Sequence, residues 1–156
     1  MIGCGNPEAG DDAVGLLAVR GARAAGLERM PGVEVVEAGA GLQVIDLLRG
    51  VEGVVVVDAV RAPRGGRPPG TLVRVEAGPE GLPADLGASL STHGLGVAEA
   101  VGLAAALDEA PRVVFLGVEI AEVTAGSPLS GPVAGALSDL IDAVVREARR
   151  LSDPRV

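Results

Sequence analysis

The chain of 156 residues almost lacks aromatic side chains: it has no tryptophan or tyrosine, and Phe115 is its one phenylalanine. A hydrophobic core must therefore be built from valine, leucine, isoleucine and alanine. Hydrophobic residues still make up 48% of the sequence, which excludes a disordered polypeptide. At this length we expect a single domain, residues 1–156, that is large enough to enclose a core.

Lysine is absent as well, and the 13 basic residues are all arginine in a chain with a formal net charge of −8. A surface of that sign repels phosphate groups, so we expect neither a nucleic acid nor a membrane as a partner. No apolar run reaches the roughly 18 residues of a membrane span, and no signal-peptide pattern is visible. The single cysteine, Cys4, allows no internal disulfide, and we therefore predict a cytoplasmic protein. We also expect the protein to be a monomer.

Strand and helix patterns alternate along the chain. Short apolar or β-branched runs predict strands at residues 1–4, 33–37, 54–57, 70–75 and 112–118, and helical spacing predicts helices near 14–25, 42–49, 95–107 and 132–150. This alternation indicates an α/β layer fold with a largely parallel sheet. In such folds, ligands bind beyond the carboxyl ends of the strands.

Three side chains stand where a predicted loop meets a regular element. Asp12 follows the first strand, Asp58 ends the valine run 54–57, and His93, the one histidine, precedes the helix predicted from residue 95. An imidazole and two carboxylates are a minimal set of metal ligands. Because the carboxyl ends of parallel strands share one edge of the sheet, we expect the three groups to converge there.

Structural interpretations compete with this metal-site hypothesis. Asp11 or Asp12 is well placed to cap the first helix, as aspartate commonly does. A lone histidine on a loop is more often structural than a ligand. Asp58 is harder to explain without a function, because burial of a carboxylate is costly without a partner. Cys4 lies among apolar residues with no base nearby in sequence, which favours a packing role over a nucleophilic one.

Two other kinds of site are not favoured. The glycine-rich turn at residues 3–10 does not match Gly-x-Gly-x-x-Gly, and the acidic residues that follow it would repel the phosphates of a nucleotide. A serine triad would have to use His93, and the chain has no Gly-x-Ser-x-Gly motif.

Six short motifs follow one another in the sequence: Gly-Cys-Gly-Asn-Pro-x-x-Gly-Asp-Asp-Ala-Val-Gly, Val-Val-Asp-Ala, Pro-Gly-Thr, His-Gly-Leu-Gly, Leu-Gly-Val-Glu and Leu-Ser-x-x-Val. Their order and spacing, from about residue 3 to residue 145, resemble those of the [NiFe]-hydrogenase maturation proteases. The resemblance implies a three-layer α/β/α domain of the phosphorylase/hydrolase-like type, with a twisted, mostly parallel five-stranded sheet. It also implies an aspartic-type endopeptidase that removes the C-terminal extension of a hydrogenase large-subunit precursor after nickel insertion.

The same resemblance implies a set of site residues. The metal ligands of the family, which also carry catalysis, fall on Asp12, Asp58 and His93. The implied ion is Ni²⁺, brought by the precursor or held by the protease, with other divalent ions as substitutes. A loop near the cleft, Gly-Gly-Thr in the family, corresponds loosely to residues 38–41, and substrate binding is assigned around it. The residues assigned to substrate are Glu37, Gly39 and Gly41.

The sequence departs from the family pattern at several positions. Relatives usually carry more residues before the first glycine, from which we expect that the true start lies upstream. Ala13 replaces a frequent glycine, the threonine of the Gly-Gly-Thr loop is absent, and Ile120 stands where a proline is frequent.

Two other functions remain open at this point. A non-catalytic assembly factor that senses the metal in the precursor would show the same three ligands. A peptidyl-tRNA hydrolase shares a similar Gly-Asn-Pro opening, but Glu8, Asp11 and Asp12 would repel RNA.

Overall fold

The computed structural model describes residues 1–39, 41–61, 66–78, 81–83, 96–107, 111–121 and 123–153, without the side chains of residues 41 and 42. His93 and Ala40 lie outside these ranges.

A five-stranded sheet forms the middle layer of the fold. Its strands are β1 (Ile2–Cys4), β2 (Val36–Ala38), β3 (Gly53–Arg61), β4 (Leu72–Glu76) and β5 (Arg112–Ile120), in the order β2-β1-β3-β5-β4. Every pairing is parallel except that of the edge strand β4 with β5. The two longest strands, β3 and β5, pair along their whole length in the centre. Unbroken β-branched runs suit such strands because both faces are covered.

Helices cover both faces of the sheet. They are α1 (Val14–Ala24), α2 (Gly41–Leu48), α3 (Val97–Ala106) and α4 (Gly131–Leu151). α1 and α4 pack together on one face, the α1–α4 face, and α2 and α3 pack together on the other, the α2–α3 face. The predicted three-layer α/β/α fold with a mostly parallel five-stranded sheet is confirmed. Among the described residues, no helix combines the length and apolar character that a bilayer crossing requires.

Glycines let α1 approach the sheet closely. A Cβ atom at Gly15 would lie 2.4 Å from the carbonyl oxygen of Cys4 and 2.4 Å from that of Val57. A Cβ atom at Gly3, on β1, would lie 2.4 Å from a methyl carbon of Val19. The start of α1 is therefore held over β1 and β3 at their carboxyl ends.

The predicted cap of α1 by Asp11 or Asp12 is wrong. Residues Gly10–Ala13 form a 3₁₀ turn ahead of the helix, so both aspartates lie inside helical structure, and α1 begins without a side-chain cap. The carboxylate of Asp11 instead accepts hydrogen bonds from the backbone N (2.6 Å) and the Oγ (2.8 Å) of Ser130. Ser130 is the residue that precedes α4.

Candidate active site

The sheet has a topological switch point between β1 and β3. From β1 the chain passes through α1 to β2 on one side, and then through α2 to β3 on the other side of β1. The two connecting helices lie on opposite faces, which leaves a crevice at the carboxyl ends of β1 and β3. Open α/β sheets bind their ligands in such a crevice. Asp12 follows β1 and Asp58 belongs to β3, so the topology directs both residues to this point.

Asp58 lies inside β3 rather than at its end, which corrects the sequence-based prediction. β3 continues for three residues to Arg61, because Ala59 and Val60 extend the apolar run and pair with β5. Pairing with β1, by contrast, stops at Val57. Asp58 is therefore the first residue of β3 beyond its pairing with β1, and its side chain is adjacent to the crevice.

The Asp58 side chain points to the α2–α3 face. Its neighbours at alternate positions, Val56 and Val60, belong to the core on that face, whereas Val57 and Ala59 belong to the other core. Only 8% of the Asp58 surface is exposed, and Oδ1 accepts a hydrogen bond of 2.8 Å from the backbone N of Ala59.

Asp12 is oriented by the glycine-rich turn that precedes it. Its Oδ2 accepts a hydrogen bond of 2.9 Å from the backbone N of Asn6. The turn folds tightly over Asp12 because Gly5 adopts φ +133, and a Cβ atom there would lie 1.9 Å from the Asp12 carbonyl oxygen. A side chain at position 5 is therefore incompatible with this turn.

Burial makes Asp58 an unusually weak acid. It raises the pKa of Asp58 to about 8, although the Ala59 N–H acts in the opposite direction, and the nearby charge of Asp12 adds to the increase. Without a cation, Asp58 therefore holds its proton at neutral pH. A buried carboxylic acid beside a second carboxylate in a crevice is a common mark of a functional site.

Cys4 is the last residue of β1 and lies near Asp58 and Asp12. Burial raises the pKa of its thiol well above the usual value, and Asp58 and Asp12 raise it further. The thiol therefore stays protonated, which disfavours a nucleophilic role. The sequence indicated packing for Cys4 but gave no sign that both acids would be its neighbours.

The three residues assigned to substrate lie around the end of β2. Glu37 faces α1: its carboxylate accepts hydrogen bonds from Arg20 Nε (3.0 Å) and Nη2 (2.7 Å) and from Arg23 Nη1 (3.3 Å). The hydrogen bond from Arg20 is the largest cause of its lowered pKa. The backbone N of Gly39 donates to the Gln43 side chain at 2.8 Å, and Gly41 begins α2. Glu37 therefore links β2 to α1, and the substrate role of all three residues stays a prediction.

His93 is outside the described residues, so its position relative to the two acids is not part of the observed site. α3, which begins four residues later in the sequence, packs on the same face as Asp58. Within the described part of the chain, no group of three or more histidine, cysteine, aspartate or glutamate side chains has a geometry suited to a metal ion.

A cavity of about 740 Å³ lies at the opposite edge of the sheet. It is lined by residues at the amino ends of the strands, among them Ile2, Gly53 and Arg112. Neither Asp12 nor Asp58 contributes to it. Its size therefore does not bear on the chemistry of the two acids.

Glu119 is a further acidic residue that the sequence analysis did not assign. It lies on β5, is 1% exposed and pairs in register with Val60 of β3. A glutamate inside the apolar run of residues 113–120 is the sequence signal that points to it.

Comparisons with known proteins identify the family. The family model of the hydrogenase maturation protease HycI matches residues 22–147. The chain therefore belongs to the hydrogenase maturation protease family, and by family it is a maturation endopeptidase, a peptide hydrolase. The resemblance inferred from the motifs is confirmed. The matched range includes Asp58 but begins after Asp12.

Solved structures of this family have the same fold. The hydrogenase maturating endopeptidase HybD from E. coli is 21% identical with a TM-score of 0.77, and the match covers 97% of this chain and 91% of that one. HybD from Thermococcus kodakarensis is 22% identical (TM-score 0.67; 94% and 96% covered). The endopeptidase HycI from Escherichia coli is 20% identical (TM-score 0.64; 93% and 87% covered). No protein of curated function matches the sequence significantly.

Proposed function

We propose that this protein removes the C-terminal extension of a [NiFe]-hydrogenase large-subunit precursor once nickel has been inserted. In this proposal, Asp12, Asp58 and His93 bind the nickel ion that the precursor carries. The observation that supports it best is Asp58, a buried carboxylic acid at the switch point of the sheet with Asp12 beside it.

The donor set fits transient binding of a divalent ion. Carboxylate oxygens and an imidazole are suitable ligands for Ni²⁺, and three of them leave coordination positions for groups of the precursor. Asp58 keeps a proton until a cation replaces it, because burial disfavours its anion. Such a site is expected to be weak without the precursor, which favours nickel as part of the substrate over a resident ion. Other divalent ions are expected to substitute only partly.

The groups around the crevice have different tasks in this mechanism. The Asn6 N–H fixes the orientation of the Asp12 carboxylate. A carboxylate oxygen of Asp58 that the ion leaves free accepts a proton from the attacking water and returns it to the leaving amine. A divalent ion held by Asp12, Asp58 and His93 would polarise the scissile carbonyl group or lower the pKa of a bound water. Cys4 takes no part as a nucleophile because its thiol stays protonated.

A processing assay with a purified precursor tests the proposal. We expect the nickel-loaded precursor to be shortened and the nickel-free precursor to remain intact. Asp58→Asn and His93→Ala should abolish cleavage while circular dichroism shows an unchanged fold. Asp46→Asn is the matched control, because the Asp46 side chain lies on α2 and is 81% exposed.

Two results would contradict the proposal. Cleavage by Asp58→Asn at the wild-type rate would remove Asp58 from the mechanism. A wild-type protein that binds the nickel-loaded precursor without shortening it would instead be a metal-sensing assembly factor.

A further inference from the structure

Glu119 shares a face of the sheet with Asp58. On β5, Val113 and Phe115 belong to the core of the α2–α3 face, and alternation places Glu119 on that face too. Asp58 pairs with Gly117, and Val60 pairs with Glu119, so the two acids are diagonal neighbours on adjacent strands. Strand spacing and rise place their Cα atoms about 8 Å apart.

The Glu119 carboxylate is poorly compensated for a buried charge. Oε1 accepts a hydrogen bond of 2.9 Å from Nε of Arg67, while Oε2 is buried without a hydrogen-bond partner among the residues that the structure describes. Burial of a carboxylate that accepts only one hydrogen bond is unfavourable for folding. Stability therefore does not account for Glu119, whereas a role in holding Arg67 does.

The segment that carries Arg67 is fixed against β5 at Glu119 itself. The backbone N of Gly70 donates to the Glu119 carbonyl oxygen (2.8 Å), and the Glu119 N donates to the Thr71 carbonyl oxygen (2.9 Å). The Thr71 hydroxyl donates to the Pro68 carbonyl oxygen (2.7 Å), which closes the turn. Arg67 therefore directly precedes a turn that is hydrogen-bonded to β5.

The rest of the Arg67 side chain faces outward. The side chain is 57% exposed, whereas that of Glu119 is 1% exposed. Only Nε contacts Glu119, and within the described ranges its two terminal nitrogens have no hydrogen-bonding partner. A guanidinium group held in this way presents a pair of N–H₂ donors, a geometry that suits a carboxylate.

We propose that Arg67, positioned by Glu119, binds a carboxylate in the C-terminal segment of the precursor beside the Asp12–Asp58 site. This inference rests on the proposed function and adds a specificity-determining residue to it. Preorganisation is the physical reason: the bond to Glu119 and the adjacent turn at residues 68–71 have already ordered a side chain that otherwise loses rotamer freedom on binding. The carboxylate belongs either to an acidic side chain or to the terminus of the precursor.

Binding and cleavage measured side by side test this inference. Arg67→Gln should raise both the dissociation constant and KM for the nickel-loaded precursor about tenfold, as expected for loss of a charge-assisted hydrogen bond, with kcat changed less than about twofold. Arg67→Lys should recover only part of the loss, because an ammonium group lacks the two-pronged geometry. Glu119→Gln should weaken binding less than Arg67→Gln. Arg146→Gln on the exposed side of α4 removes the same charge and should have no effect.

Two altered precursors identify the carboxylate. In one, the acidic residues of the C-terminal segment become amides; in the other, a short glycine–serine tail displaces the terminal carboxylate. One of them should bind the wild-type protein about tenfold more weakly and be insensitive to Arg67→Gln.

If Arg67→Gln binds the natural precursor as tightly as Arg146→Gln does, the inference is wrong. If the wild-type protein binds but does not cleave, the endopeptidase function fails while the effect of Arg67→Gln on binding still decides the role of Arg67. A wild-type protein that does not bind the precursor contradicts both.

Discussion

Asp11 joins the beginnings of two helices that are far apart in sequence. Its two carboxylate oxygens accept hydrogen bonds from the backbone N and the Oγ of Ser130, 119 residues away. α1 begins shortly after Asp11, and α4 begins directly after Ser130. The bond therefore fixes the turn that carries Asp12 to the start of the longest helix.

Asp11→Ala should lower the free energy of unfolding by about 2–3 kcal/mol, because it removes a carboxylate that accepts two hydrogen bonds and leaves the Ser130 N–H and hydroxyl without their partner. Urea denaturation followed by circular dichroism measures this change. Asp139→Ala, at an exposed position of α4, is the control. An equal effect of the two substitutions would show that the Asp11–Ser130 bond does not contribute to stability.

The pKa of Asp58 predicts how the stability of the metal-free protein depends on pH. The folded state binds this proton more tightly than the unfolded chain, since the pKa is about 8 instead of 3.8. The contribution of Asp58 to stability is therefore fully present below about pH 4 and decreases as the pH rises to about 8, by at most about 1.4 kcal/mol per pH unit.

Asp58→Asn removes this dependence. In the presence of a chelator, the variant should be more stable than the wild-type protein at pH 8, and the difference should shrink toward pH 4. Urea denaturation of both proteins across this range isolates Asp58, because the other titrating groups are shared. A constant difference at all pH values would mean that Asp58 is already ionised in the folded protein.

Much of the fold could be predicted from the sequence because its signals are local. The four valines before Asp58 indicate a strand covered on both faces, and the apolar spacing from Val14 indicates a helix. The bond between Asp11 and Ser130 could not be predicted, because it joins residues that only the folded chain brings together. The local rule that places aspartate at a helix start favoured a cap of α1 instead.

Part of the candidate site could also be predicted from local sequence signals. Asp58 was recognisable as a carboxylate in an apolar run, but the run alone did not show that β3 continues to Arg61. Glu119 carries a similar signal in β5. The position of Glu119 beside Asp58 depends on the register between β3 and β5, and its hydrogen bond with Arg67 depends on the fold that brings Arg67 to the end of β5. Both are long-range properties.

Cys4 provides a test of the proposed chemistry. Burial and two neighbouring acids keep its thiol protonated, so Cys4→Ala should process the precursor at a rate within about threefold of the wild-type rate, with a loss of stability of about 1–2 kcal/mol from the small cavity. Iodoacetamide should modify the folded protein far more slowly than the urea-unfolded protein. A folded Cys4→Ala protein without activity would instead indicate a cysteine nucleophile.

Gly15 determines how closely α1 approaches the switch point. A Cβ atom there would lie 2.4 Å from two carbonyl oxygens, those of Cys4 and Val57, and neither belongs to a flexible side chain. Gly15→Ala should therefore destabilise the protein by about 2–3 kcal/mol or more. Gly102, also inside a helix, has open space around its Cβ position, so Gly102→Ala should stabilise the protein by about 0.5–1 kcal/mol through helix propensity. Thermal unfolding of the two variants compares the same added methyl group. Similar shifts for both would show that α1 can move away from the sheet, whereas opposite shifts, with loss of precursor cleavage for Gly15→Ala alone, would show that the active site requires this close contact.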